Sequence, residues 1–513
     1  MAGSTLPASF RQAQRLTGAN TRYGPEINTV KPVRTGQWFF AGNRIELNRT
    51  SFAPTNAQLS CISRIRVFTP SYAQTALRVC FANWWVNQTG ISLPETDNSN
   101  SVTISGATIE YDGVFYPITF SGQTSITLTV GQTVWSDPVT VAIPANDSFY
   151  IRSIGTVTSG QLMPVGAIIY GTSGEGAEYT ATPQLDKLTS GTIASTFVTF
   201  YNHAPVGVVG LGNNGSPVAL VVGDSVAFST NEETNGTTRD ARSNRGYIPR
   251  GLDSAVGGRI PFGMFAIPGT RASNSSSLTA GQFRRRMEML KALPNAPFTV
   301  ILSEMGVNDF GVSWSAAHPI MQAWFAFLKF HFPDKKIIQT TVTPQASQAN
   351  NANWTDLANQ TVVSANQFPN GARHQFNAWL RGNPRGDLID GVIDVAPIFM
   401  DAADPGKWKL HDFSTTLAAD VASGAVVSLT AAPPVGSWIV IDPGQATPTM
   451  RHVISVTGSG PYSVTMQGNV ARSHTAGTVV KAALTNDGTH PVAYAHILAA
   501  PLIEQAKITG LFS

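Results

Sequence analysis

Cleaving an ester near neutral pH takes a nucleophile that can lose its proton, a base held in one tautomer, and donors aimed at the oxygen that turns negative. Three short blocks of this sequence carry residues of those types. Gly223-Asp224-Ser225 places a serine directly after an apolar run, Pro217 to Val222. Gly306-Val307-Asn308-Asp309 follows a second run, Phe298 to Met305. An asparagine there can direct its amide N–H into a crevice at the strand end, although Asn and Asp also serve simply as turn residues in such places. The third block is Asp487-Gly488-Thr489-His490. A spacing of three over a turn lets Asp487 accept from the Nδ1–H of His490, which leaves Nε2 to take a serine proton. The same spacing also suits a helix cap beside an exposed histidine. Of the other histidines, His318, His331, His374 and His496 fall on expected helices, and His411-Asp412 is the one adjacent rival for the base.

Such residues act together only if a fold collects them. After Gly210 to Ser216 the sequence alternates strand and helix patterns. Phe262 to Ile267, Phe298 to Ser303, Lys336 to Thr343 and Gly391 to Phe399 read as strands, and Ser277 to Leu293, Trp314 to Phe332 and Arg373 to Arg381 as helices. That alternation predicts a parallel sheet covered by helices on both faces, whose strand ends bind ligands. Residues 1–215 read instead as short strands between turn residues, hence an antiparallel sandwich. Ser414 to Ala483 reads as hairpins, with Gly458-Ser459-Gly460 as one turn, before helical patterning returns at Thr485. The expected organisation is a sandwich at 1–215, an α/β domain at 216–413 and 484–513, and a small β module inserted at 414–483. Trp38-Phe39-Phe40, Trp84-Trp85 and Trp135 either fill the sandwich core or offer a platform on which sugar rings stack. Cys61 and Cys80 flank a candidate strand pair, where a disulfide is geometrically allowed.

In order and context, the three blocks resemble the signatures of the SGNH, or GDSL-type, hydrolase superfamily. Val226 follows the serine where many members have leucine, while the GxND and DxxH blocks match in full. The family's second block, built on a glycine, matches loosely; Gly269 in FAIPGTRAS fits best, with Gly263 in PFGMF as the fallback. The resemblance implies a three-layer α/β/α hydrolase domain with Ser225 as nucleophile, His490 as base and Asp487 as its orienter. It also implies that the oxyanion is held by the backbone N–H groups of Ser225 and Gly269 and by the side chain of Asn308. No metal or other cofactor is implied. Within the superfamily, a β-sandwich beside the catalytic domain looks like a carbohydrate esterase that removes O-acetyl groups from a polysaccharide. The insert also looks like small modules of phage tail proteins. Another short-chain esterase or lipase, or a non-catalytic glycan-binding adhesion protein of a tail, are the alternatives.

Composition fits that frame. Only 13% of the 513 residues are charged, against ~25% in an average chain. The net charge of +3, with no basic run longer than Arg284 to Arg286, gives no reason to expect nucleic acid as partner. Two cysteines exclude a disulfide scaffold and a cysteine-based zinc site. No apolar stretch is long enough for a membrane span, and the first twenty residues lack a signal-peptide core. The expectation is a soluble chain, cytoplasmic or virion-associated, acting on an acetylated polysaccharide or a small ester, with a homo-oligomer left open. Residues 1–215 and the insert are expected to select a polymer and stay outside the chemistry.

Overall fold

A computed structural model of the chain describes residues 34, 36–87, 95–170, 173–195, 201–232, 238–276, 283–348, 353–364, 367, 370–382, 388–445 and 448–513. The alternating region forms a five-stranded sheet. Its strands in chain order are Ala219–Val222, Phe262–Met264, Val300–Ser303, Lys336–Thr340 and Gly391–Ile393, and their spatial order is second, first, third, fourth, fifth. Every neighbouring pair is parallel. Ala219–Val222 and Val300–Ser303 are buried throughout, as strands covered on both faces must be.

This order reverses direction once, between Ala219–Val222 and Val300–Ser303. Right-handed crossovers then put the connection leaving the first strand on one face, and those leaving the second, third and fourth on the other. The packing agrees. Tyr247–Leu252 and Ala396–Phe399 lie against the C-terminal helix Ala493–Ile508, while Ala272–Ser275 and Ala372–Arg381 lie against Trp314–His331. In that long helix Ala317, Met321, Trp324, Phe325 and Leu328 recur at helical spacing and are buried. The crevice at such a reversal, beyond the carboxyl ends of its two strands, is where open α/β sheets take ligands. Ser225 follows one of the two strands and Asn308 the other.

Several expected elements are shorter than the pattern suggested: the strands read over Phe262 to Ile267 and Lys336 to Thr343 end at Met264 and Thr340, and the one read over Phe298 to Ser303 starts at Val300. The helix read over Ser277 to Leu293 is seen as Arg284–Lys291, with 277–282 outside the described residues. The strand read over Gly391 to Phe399 ends at Ile393, because Pro397 sits in the first turn of the short helix Ala396–Phe399 and cannot donate to a ladder.

Residues before Gly212 form two main antiparallel sheets, one centred on Gln74–Ala82 and one on Ser60–Phe68, Ser148–Thr156 and Val102–Tyr111. Ile65 and Val67 of the second sheet meet Leu77, Val79 and Phe81 of the first in one core. The two segments flanked by the cysteines are therefore strands, but they lie in different sheets and do not pair. Cys61 and Cys80 are buried and free, and burial pushes the Cys61 thiol up to about 12. The stacking-platform reading of the aromatic clusters is overturned. Trp38, Phe39, Phe40, Trp84, Trp85 and Trp135 are each at most 9% exposed, which leaves no ring face for a sugar. All but Trp85 belong to the same apolar core as the parallel sheet. Trp135 Nε1–H donates to the Met289 carbonyl at 3.2 Å, and the Phe40 N–H to that of Pro297 at 2.9 Å.

Residues 414–483 make a six-stranded antiparallel sheet with its own core, in which Leu429, Ile439, Ile441, Val453 and Val464 are fully enclosed. Thr449–Thr457 pairs with Tyr462–Met466 across the expected Gly458-Ser459-Gly460 turn, where both glycines have positive φ. Among the described residues no helix is long and apolar enough to cross a membrane.

Candidate active site

Ser225 opens a four-residue helix, Ser225–Phe228, that starts directly after the strand Ala219–Val222. Asp224 caps it, its Oδ1 accepting from the Val226 N–H at 3.0 Å. The Ser225 side chain lies 2.8 Å from His490 Nε2, and His490 Nδ1 lies 2.6 Å from Asp487 Oδ2. Because a carboxylate only accepts, Nδ1 carries the proton and Nε2 is the nitrogen that can receive one from Ser225. The spacing that joins Asp487 to His490 is a tight turn, not a helix cap. Asp487 Oδ1 accepts from the N–H groups of Thr489 and His490 at 2.9 and 2.8 Å. Gly488 is obligatory there, since its φ is +79° and a Cβ would run into the Ala346 carbonyl oxygen. Thr485 Oγ1 donates to the His490 carbonyl at 2.9 Å, and Trp408 Nε1–H to that of Gly488 at 2.7 Å, which fix the turn from both ends. Although burial works to raise it, the bond from the His490 ring and the two backbone donors hold the Asp487 carboxyl below its ordinary value.

Asn308 sits in a turn that the Asp309 N–H closes on the Gly306 carbonyl at 2.9 Å, but its side chain bonds outside that turn. Its Nδ2 donates to the Thr270 carbonyl at 3.0 Å, and the neighbouring Asp309 carboxylate accepts from the N–H groups of Ala272 and Ser273 at 2.8 and 3.1 Å. The GVND block thus holds the loop that carries Gly269. Gly269 has φ +81°, is exposed, and its N–H finds no acceptor among the described residues. Gly263, the fallback, lies inside the strand Phe262–Met264, where a Cβ would strike the Phe40 ring; it is a packing glycine. The rival pair is elsewhere in its bonding. His411 Nδ1 accepts from the Phe413 N–H at 2.8 Å, and its ring lies 5.2 Å from that of Tyr494. His496 is buried against Tyr247, ring centroids 5.8 Å apart, and burial lowers it to about 4.

The residue that sequence reasoning passed over is Glu304. It ends the run VILSE, and its Oε2 accepts from the N–H groups of Asp224 at 3.3 Å and Ala227 at 3.2 Å, so it grips the chain on either side of Ser225. Asp224 and Glu304 are 0% and 1% exposed. Burial raises both carboxyls, Asp224 to about 7 and Glu304 well above its usual value. Two enclosed carboxyls side by side cannot both be charged, so one proton stays between them. On Glu304 it supplies Asp224 Oδ2 with a donor that this oxygen otherwise lacks. The signal was available: a carboxyl ending a strand buried on both faces needs an internal partner. A second support comes from the N-terminal sheets, where the guanidinium of Arg49 lies 3.2 Å from the centre of the Phe228 ring, with that of Arg245 at 3.9 Å. Glu46 pairs with both arginines at 2.9 Å.

Among the described residues no three His, Cys, Asp or Glu side chains are grouped to hold a metal ion. No protein-family model matches the chain, and no curated protein matches it. Solved structures that overlap it include a family two carbohydrate esterase from Cellvibrio japonicus, at 11% identity over 72% of this chain and 92% of that one, with a TM-score of 0.24. Another is a family two carbohydrate esterase from Clostridium thermocellum in complex with cellohexaose, at 10% identity over 70% and 88%, also with a TM-score of 0.24. A member of the lipolytic G-D-S-L family from Veillonella parvula overlaps at 14% identity over 36% and 80%, with a TM-score of 0.23. Overlap at this level is too weak to carry a conclusion about fold or chemistry.

Proposed function

We propose that the chain is a serine ester hydrolase that removes short acyl groups, O-acetyl above all, from a polysaccharide. The observation that carries this is the unbroken line Asp487–His490–Ser225, 2.6 and 2.8 Å long, at the reversal point of the sheet. In the reaction Ser225 Oγ attacks the acyl carbonyl while its proton passes to His490 Nε2. The tetrahedral oxyanion is received by the N–H groups of Ser225 and Gly269 and by Asn308 Nδ2. Collapse expels the sugar alkoxide, which takes the proton back from His490, and leaves the acyl group on Ser225. Water, deprotonated by the same nitrogen, then repeats the sequence and frees the acid. Asp487 holds the imidazole in the required tautomer and balances its charge while it carries the proton.

The assignment of Asn308 is supported by its place beyond the end of Val300–Ser303, which pairs with the strand that Ser225 follows, and by its bond to the residue after Gly269. The decisive experiment treats the protein with a fluorophosphonate and locates the adduct by mass spectrometry. A single adduct on Ser225, lost in Ser225→Ala together with ester turnover, is expected. A folded Ser225→Ala protein that still hydrolyses 4-nitrophenyl acetate at the normal rate refutes the proposal.

A further inference from the structure

Beside the catalytic line the chain encloses a cleft of about 450 Å³, within the ~300–1,000 Å³ usual for small-molecule sites. One wall is Thr230, Asn231 and Asn486, from the segments that carry the nucleophile and the base. These residues are bonded to the site itself. Thr230 Oγ1 donates to the Ser225 carbonyl at 3.2 Å, and Asn231 Nδ2 donates to the His490 carbonyl at 3.3 Å and to Asn486 Oδ1. The opposite wall belongs to the inserted sheet and includes Trp438, Arg451 and Gln467. Trp438 is half-buried, its ring 5.9 Å from that of His452. Arg451 is held in place by bonds from Nε to the Asn469 carbonyl and from Nη1 to the Met450 carbonyl, each 2.6 Å.

The lining combines an indole, an imidazole, three side-chain amides and a fixed guanidinium, and among the described residues it contains no carboxylate. An acyl chain would call for an apolar tunnel, and a cationic substrate for acids. A flat ring edged with hydroxyl and ester oxygens matches instead, because its C–H face packs on an indole while amides and guanidinium meet the oxygens. We infer that this cleft is the sugar subsite of the ester hydrolase: a pyranose ring lies against Trp438, its oxygens facing Asn231, Asn486, Gln467 and Arg451, and its acyl group at Ser225. The inference rests on the reading of Ser225 as nucleophile. It makes the insert half of the substrate site, not an appendage at a distance from it.

The test compares glucose pentaacetate with 4-nitrophenyl acetate, an ester without a sugar. Trp438→Ala should raise KM for glucose pentaacetate about tenfold, the factor that ~1.4 kcal/mol of ring contact is worth. Trp438→Phe should restore most of that loss, and the effect should fall on KM with kcat for glucose pentaacetate within about twofold, since the ring contact is made alike before and during the reaction. Gln467 is exposed, so Gln467→Trp narrows the cleft without disturbing the sheet and should raise the same KM even if Trp438→Ala fails to fold. The inference is overturned if both folded variants keep the normal KM for the sugar ester. It is also overturned if the unaltered protein hydrolyses 4-nitrophenyl acetate but releases no acetate from glucose pentaacetate. Failure on both esters, with no adduct on Ser225, removes the hydrolase reading itself.

Discussion

Glu304 offers the sharpest test of how Ser225 is held, because two substitutions should separate what its shape does from what its charge does. Glu304→Ala leaves the N–H groups of Asp224 and Ala227 without an acceptor, and Asp224 Oδ2 without a donor. A buried polar group stripped of its partner costs ~1–3 kcal/mol, and with bonds as long as 3.2 and 3.3 Å three such groups come to about 3–5 kcal/mol. That is a large share of the ~5–15 kcal/mol that keeps a typical domain folded. Glu304→Gln keeps the pattern of the protonated acid. Its Oε1 accepts from both N–H groups, its Nε2 donates to Asp224, and it brings no charge into the enclosure, so stability should stay within about 1 kcal/mol. Activity should follow the same order. Displacing Ser225 Oγ by ~1 Å costs on the order of 10²-fold in rate, so kcat should collapse in the alanine variant, while in the glutamine variant it should keep most of its normal value. Urea unfolding at pH 6 and kcat on 4-nitrophenyl acetate measure both effects. If Glu304→Gln falls as far as Glu304→Ala, the carboxyl works as an anion and the shared proton is wrong.

Asn308→Ala should lower kcat by ~10² to 10³ with little change in KM, since the donor acts on charge that appears in the transition state; a raised KM with normal kcat makes it a loop tie and nothing more. The pH dependence of stability follows from the buried Asp224–Glu304 pair: in the fold burial holds both carboxyls above their ordinary values, Asp224 to about 7, so the pair keeps protons that the unfolded chain releases near ~4. Between those values the folded state binds more protons, so this site's contribution is complete below about pH 4 and is lost as pH rises through about 7. Asp224→Asn should flatten that part of the curve in urea melts, and an unchanged slope contradicts the assignment. Deleting residues 1–215 should yield no soluble folded protein, because Trp38, Phe39, Phe40 and Trp135 share a core with the parallel sheet; a monodisperse, active truncation would show that this shared core counts for little.

What could be read from the sequence was local. An apolar run ending in Gly-Asp-Ser, another ending in Gly-Val-Asn-Asp and a four-residue turn from Asp487 to His490 each carry their geometry within a few residues. Strand, turn and side-chain direction follow from adjacent φ/ψ choices, so Ser225, His490 and Asp487 could be named before any distance was known. The reversal of strand order was not written in any one segment; it depends on which strands pair, as with Ala219–Val222 lying between Phe262–Met264 and Val300–Ser303. The same limit hid the separation of Ser60–Phe68 from Gln74–Ala82, which look like a hairpin in sequence and lie in different sheets. It also left the burial of Trp84 and Trp135 as one of two readings, since a tryptophan in a strand looks alike whether its outer face meets water or another sheet.

Glu304 and Trp438 belong to a third kind, residues whose meaning depends on partners far along the chain. Glu304 reaches a turn 80 positions earlier, and the cleft that Trp438 lines is closed on its other side by Asn231. Ser225 is accordingly supported from two sides by distant parts of the sequence, Glu304 beneath it and Arg49 on Phe228, while the insert faces Asn231 across the cleft. Residues 1–215 and 414–483 supply none of the proposed reacting atoms, yet they reach the surroundings of those atoms. A four-residue helix is too short to hold a serine still by its own hydrogen bonds. Its position has to come from contacts made by the surrounding segments, so an α/β unit cut free of them is expected to hold Ser225 less firmly.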